Sequence, residues 1–228
     1  MKKIFVFSVV AAASMLFAFG APKKEVFVKE SQVFAKVDNA KSKSKKWPSS
    51  VVIFKDDMSA AKSAAKNWKI ENGELKGSEG APLVIKNAKG VYAISLEFNA
   101  DEAGEGCIFV RAPKGDVSKA VCIKLCQLNA DKGETSIGSI NGVIKPGNKF
   151  NETKDGRWSR IMIFVEEEGV RVTPNTNLCG HYADRNFLTY KWEDISKKSG
   201  YEVAEEGEAG FLCSKGNLKF KNISITVF

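Results

Sequence analysis

The sequence predicts an all-β fold, a sandwich or barrel built from two antiparallel sheets. Short apolar segments recur at 90–98, 107–111, 120–128, 136–143, 159–165, 170–173, 210–213 and 218–227. They alternate or run β-branched, and turns rich in Gly, Asn, Asp and Lys separate them, which is the pattern of strands. Eight or more short strands with little helical patterning pack best as two layers or a closed sheet. The length agrees, because all-β domains often run to about 200 residues as one unit and bury a core without help from disulfides.

Taken in order, the chain starts with Lys2 and Lys3, followed by an apolar run over 4–20 that closes on Ala18, Phe19, Gly20 and Ala21. A cationic start, an apolar middle and small residues at the cut mark a secretory signal, residues 1–20, cleaved after Gly20. The run is about one turn short of a comfortable span, and no later stretch is apolar enough to cross a bilayer. The expected location is the periplasm or the exterior of the cell. A basic linker follows over 21–49, and the folded domain over 50–228.

The net charge of +8 is unevenly spread. Lys2 and Lys3 leave with the signal. Residues 21–46 carry eight Lys against Glu25, Glu30 and Asp38, so the remainder is close to neutral. A nucleic-acid-binding domain concentrates cations on its folded part, so no nucleic-acid partner is expected. The basic run reads as a solvated linker or as a contact for acidic envelope polymers.

Within the domain, 49–54 reads as a first strand. The Ala-rich stretch 56–68, opened by two Asp, reads as a helix of two to three turns. Trp47, Trp68 and Trp158 are core candidates. From 174 to 207 the alternation disappears. That insertion holds Cys179, His181, Tyr182, Tyr190, Trp192 and Tyr201, too aromatic for a disordered segment and long for a compact domain.

The segment "GCIFVRAPKGDVSKAVCIKLCQL", 106–128, is a hairpin whose two faces differ. Ile108, Val110, Ile123 and Leu125 are ordinary core residues. Cys107, Phe109, Arg111, Cys122, Lys124 and Cys126 alternate onto the other face. With a turn near Gly115, Cys107 falls opposite the 124–126 region. Cross-strand neighbours lie within disulfide range, so a Cys107–Cys126 bridge stands beside the reading of three small buried hydrophobes. Five cysteines in an exported chain leave at least one outside any intrachain pair. There is no CxxC and a single His, so no metal site and no cofactor are expected. Cys179 and His181 are too close together in an irregular loop to favour a Cys–His dyad.

Five pieces resemble the 3-keto-disaccharide hydrolase-like family: "WKIENGELKG", "VYAISLEF", "GCIFVR", "DGRWSRIMI" and "GEAGFLCSKGNLKFKNISI". They fall in the family's order from about Phe54 to Phe228. The resemblance implies a concanavalin A-like jelly-roll β-sandwich of two antiparallel sheets, with ligands on the concave face. It also implies that the strand "AVCIKLCQ" aligns with one whose Glu, Gln and Asp line the site near an Arg. Here Arg111 is kept, Cys122 stands for the Glu, Lys124 for the Gln and Gln127 for the Asp. Ser159 replaces an Asn.

Glycoside hydrolysis by the usual route needs two carboxyl groups. Glu97, on the strand face of Ala93 and Ser95, is one candidate. Glu71 and Glu74 read as loop residues. No catalytic residue is named, and whether the chain is an enzyme is left open. The expected function is glycan-directed, with Arg111, Lys124 and Glu97 binding saccharide and Tyr190 and Trp192 stacking on it. Arg111 and Lys124 together suit an anionic sugar; the competing role for them is an ion pair with Glu97, and for the aromatics packing against the sandwich. Two further readings stand: a structural or interaction protein of the envelope with a protein partner, and a hydrolase or lyase acting on a modified sugar.

Overall fold

The structure, a computed structural model, describes residues 48–62, 65–86, 88–113, 116–126, 137–145, 158–173 and 188–228. The signal and most of the linker, as well as Cys179, His181, Tyr182 and Gln127, lie outside these.

Twelve strands are seen among the described residues: β1 (Val51–Val52), β2 (Trp68–Glu71), β3 (Glu74–Ser78), β4 (Leu83–Val84), β5 (Tyr92–Ala100), β6 (Glu105–Ala112), β7 (Val121–Cys126), β8 (Ser159–Val165), β9 (Gly169–Thr173), β10 (Leu188–Lys191), β11 (Glu208–Lys215) and β12 (Asn217–Val227). One helix, α1 (Trp192–Ser199), follows β10. The strands form two antiparallel sheets. The larger runs β10-β9-β8-β5-β12-β3-β2, with β1 also paired to β12, and the smaller runs β4-β11-β6-β7. This is a jelly-roll sandwich.

The core lies between the sheets because each central strand alternates. Ile94, Leu96 and Phe98 of β5 meet Ile108 and Val110 of β6 and Ile123 and Leu125 of β7 in one buried cluster. At one end Trp68, Phe211 and Phe220 stack, the last two with ring centroids 4.8 Å apart. Gly77 makes room for that Trp: a Cβ there would lie 2.3 Å from the Trp68 ring.

Four expectations are corrected. The described residues of the stretch 56–68 form no helix. Lys62 N–H donates to Val84 O and Lys86 N–H to Ala60 O, so the backbone near Ala61 is claimed by the edge of β4 instead of by helical partners. Glu71 and Glu74 are strand ends, not loop residues. Asn72 and Gly73 between them adopt φ of 54° and 73°, the left-handed pair that closes a tight hairpin. The 136–143 segment forms no strand among its described residues, only bridges from Ile140 to Ile123 and to Ile144. The insertion is not irregular throughout, since it contains β10 and α1. Helix α1 buries Trp192 and Ile195 on one side, carries Glu193 and Asp194 in its first turn and Lys197 and Lys198 in its last, and ends on Gly200 in the left-handed region at φ 75°. Eight residues with two apolar positions are too few to register as periodicity.

Candidate functional site

The hairpin β6–β7 presents its second face to a cavity of about 400 Å³, lined by Cys107, Cys122, Lys124, Asn141, Tyr201 and Ser214 among others. Strand alternation places these side chains. Register sets Cys107 opposite Lys124 and Phe109 opposite Cys122, while Ile108 pairs with Ile123 on the core side. The segment around 138–141 lies along the other edge of β7. Lys124 N–H donates to Ser139 O at 3.0 Å, and Asn141 N–H donates to Cys122 O at 3.0 Å.

Asn141 organises the wall. Its φ of 51° is left-handed, a conformation Asn tolerates better than most residues. Its Oδ1 accepts from Cys122 N–H at 2.7 Å, and its Nδ2 donates to Tyr201 Oη at 2.7 Å and Ser199 Oγ at 2.9 Å. Tyr201 Oη donates in turn to Ala120 O at 2.7 Å. The C-terminal end of α1 is thereby tied to the start of β7. Burial, together with the neighbouring Cys122 sulfur, pushes the Tyr201 hydroxyl up.

Lys124 Nζ meets Glu105 Oε2 at 2.5 Å, both side chains partly exposed. Cys107 is buried and Cys122 is partly buried, and their thiols are hydrogen-bonded to each other. That bond, with burial, raises the Cys107 thiol well above the ordinary range. The same bond lowers the Cys122 thiol. Cys107 and Cys126 form no disulfide: Cys126 is opposite Glu105, and it is Cys122 that reaches Cys107. The register itself falls where expected, with Cys107 opposite Lys124 in the 124–126 region, but that leaves Cys126 one pair too far along.

Of the residues expected to bind ligand, only Lys124 lines this cavity. Arg111 leaves the alternation because β6 bulges there. Between the pairs Gly210–Phe109 and Glu208–Ala112 the register shifts, and Arg111 takes φ 53°. Its guanidinium lies 4.1 Å over the Trp192 ring and donates to Glu166 O at 3.0 Å and Ala204 O at 3.3 Å. Trp192 Nε1 also donates to Glu166 O, at 3.1 Å. Tyr190 and Trp192 are both buried in the main core, so the packing role, not an exposed stacking surface, is where they sit. Tyr190 Oη donates to Gly138 O at 3.3 Å.

Glu97 is on the far side of the molecule. It points away from the core on the large sheet, where Asn222 Nδ2 donates to it at 2.9 Å and Lys221 Nζ lies 3.5 Å away. Lys221 also caps the half-buried Trp158 ring at 4.1 Å, so Trp158 is an outer-face residue, not core. Arg111, Lys124 and Glu97 therefore occupy three separate places. Ser159 shares the core-facing parity of Ile161 and Ile163, away from the cavity.

Asn141 and Tyr201 were not singled out as ligand residues. Asn141-Gly142 is a turn signal that marks a bend and says nothing of what the bend faces. Among the described residues no group of three or more His, Cys, Asp and Glu could hold a metal ion, and no helix is long and apolar enough to cross a membrane. The described lining of the cavity includes no carboxylate; Glu105 is linked to it through the ion pair with Lys124.

Solved structures share the fold. One presumptive glycosyl hydrolase from Parabacteroides distasonis superposes with a TM-score of 0.62 at 15% identity, covering 78% of this chain and 94% of its own. A second from the same organism gives a TM-score of 0.61 at 18% identity, covering 79% and 100%. No curated protein matches the sequence. Residues 55–226 match the model of the 3-keto-alpha-glucoside-1,2-lyase-like domain, and with most of its length inside that match the chain belongs to this family.

Proposed function

We propose that this is an exported glycan-directed protein, periplasmic or extracellular, that binds saccharide in the cavity over β6–β7 with catalysis weakened or lost. One observation carries the reading: the open cavity coincides with the strand whose Glu and Gln positions, by family resemblance, face the ligand, and that hold Cys122 and Lys124 here. An open cavity also speaks against a face filled by its own side chains. The ligand class follows from the lining. Lys124 paired with Glu105 offers donors and acceptors side by side with little net charge, and Asn141, Tyr201 and Ser214 add neutral polar groups. Such a set suits the hydroxyls of a neutral sugar better than a carboxylate or phosphate. Two-carboxylate hydrolysis finds no pair in the described lining.

The test is a glycan array probed with the wild-type protein, Lys124→Ala and Arg111→Ala. Binding to a neutral saccharide that Lys124→Ala weakens at least about tenfold, or 1.4 kcal/mol, supports the proposal. Arg111→Ala, if folded, retains binding. Absence of any glycan bound by the wild type, or binding indifferent to Lys124, overturns it.

A further inference from the structure

Cys107 and Cys122 are the most distinctive pair in the cavity, and neither the family resemblance nor the saccharide reading gives them a role. Three observations bear on them together. They project from neighbouring strands onto one face, offset diagonally by two residues in register. Their thiols touch, hydrogen-bonded to one another. Both line a cavity open to small molecules, yet their exposures differ: Cys107 is 6% exposed, and Cys122 is partly buried and the more accessible of the two.

We propose that Cys107 and Cys122 form a thiol–disulfide exchange site in the cavity, with Cys122 attacking a low-molecular-weight disulfide and Cys107 resolving the product. The Cys122 thiolate attacks one sulfur of the small disulfide. Its S–S bond breaks, one thiolate leaves, and a mixed disulfide remains on Cys122. Cys107 then loses its proton to solvent and attacks the Cys122 sulfur, and the second small thiolate leaves. Two protein thiols are oxidised to one disulfide, and one small disulfide is reduced to two thiols, so electrons and atoms balance with no further oxidant.

The division of labour follows from the surroundings. The attacking sulfur must be reachable and able to lose its proton, because the thiolate is the nucleophile. Cys122 lines the cavity, and its hydrogen bond with Cys107 favours its anion. The Lys124 charge, tempered by Glu105, falls on Cys107, directly opposite it in register, and eases the second deprotonation instead of the first. Tyr201 Oη, the other titratable group near Cys122, stays protonated and adds no charge. Cys107 is shielded from the first attack by burial but sits in contact for the second. Diagonal neighbours lie about 7–8 Å apart, beyond the usual disulfide span of about 4.4–6.8 Å between Cα atoms, so closure requires the backbone to draw the strands together and the strained bond reopens readily under a thiol reductant.

The experiment incubates the reduced full-length protein with oxidised glutathione, blocks remaining thiols with an alkylating reagent, and maps products by non-reducing peptide mass spectrometry. The expected result is a Cys107–Cys122 linked peptide that disappears on adding reduced glutathione. Cys107→Ser should accumulate a glutathione adduct on Cys122. Cys122→Ser should be modified at Cys107 at least about tenfold more slowly, because a buried thiol of raised pKa reacts poorly. Circular dichroism of both variants checks that they are folded. No linked peptide in the wild type, a linkage of Cys122 to Cys126 instead, or equal adduct formation on Cys107 and Cys122 in the single variants would each overturn the proposal. Saccharide binding plays no part in the readout, so its failure and the failure of this site are separate results.

Discussion

Arg111 and Lys124 sit on the two arms of one hairpin, and simple alternation places both on its outer face. The structure separates them. Lys124 keeps the alternation and borders the cavity beside Glu105. Arg111 is turned by the bulge onto Trp192 and two backbone carbonyls of a different sheet end, where it fastens β6 to the β8–β9 turn and to the segment after α1. One cation is available to a ligand; the other is part of the scaffold. A period-two pattern is reliable only between bulges, because one extra residue reverses every side chain beyond it.

The sharpest way to break this contrast is Arg111→Ala. It removes two charge-assisted hydrogen bonds and a cation–π contact, and should cost about 2–3 kcal/mol in urea unfolding while sparing ligand binding. Arg111→Gly should cost about 1 kcal/mol less, because glycine adopts φ 53° without strain. Equal losses would mean the backbone there is not held left-handed.

Next in size is the alkaline limb. Burial pushes the Tyr190 hydroxyl up to about 12. The unfolded value is near 10. The folded state therefore holds its proton to higher pH than the unfolded state does. This contribution is fully present below about pH 10 and is lost as pH rises toward 12, by about 2 kcal/mol. Denaturant unfolding at stepped pH should show that decline, and Tyr190→Phe should make it shallower, with the Tyr92 and Tyr201 hydroxyls, also pushed up by burial, supplying the rest. A tyrosine stacking platform in open solvent would show no such slope.

Lys124→Ala should be nearly silent in stability, within about 1 kcal/mol, because its ion pair is partly exposed, while its loss of saccharide affinity is the readout of the proposed site. Glu97→Gln is the smallest. Its partners Asn222 and Lys221 are on an outer face, so unfolding should shift by at most about 0.5 kcal/mol with no change in binding. A larger binding effect from Glu97 than from Lys124 would move the site to the other sheet.

How much of this was legible beforehand differs by element. Strand β8 was placed at both ends, and β5, β6, β9, β11 and β12 within two residues, because each alternates over a half-buried face. The β2–β3 hairpin was passed over although Asn72-Gly73 announces it. The proposed helix at 56–68 failed because Ala-rich composition is a weak local preference that pairing with β4 overrides. In the site, Lys124, Cys107 and Cys122 were assigned to the right face, whereas Asn141 and Tyr201 arrive from segments 19 and 79 residues away from Cys122 along the chain.

The sequence by itself determined the all-β character, the split of the hairpin into a core face and a cysteine-bearing face, and the family. These follow from local periodicity and from short motifs at strand positions. Only the tertiary structure decided that Arg111 and Trp192 brace the scaffold, that Glu97 is on the opposite sheet, that Cys107 meets Cys122 and not Cys126, and that the end of α1 and the residue after its cap supply the cavity with Ser199 and Tyr201. Each of those depends on register, on a bulge or on a long-range hydrogen bond. Such pairings are set by packing energy summed over the whole sandwich, which no local stretch of sequence records.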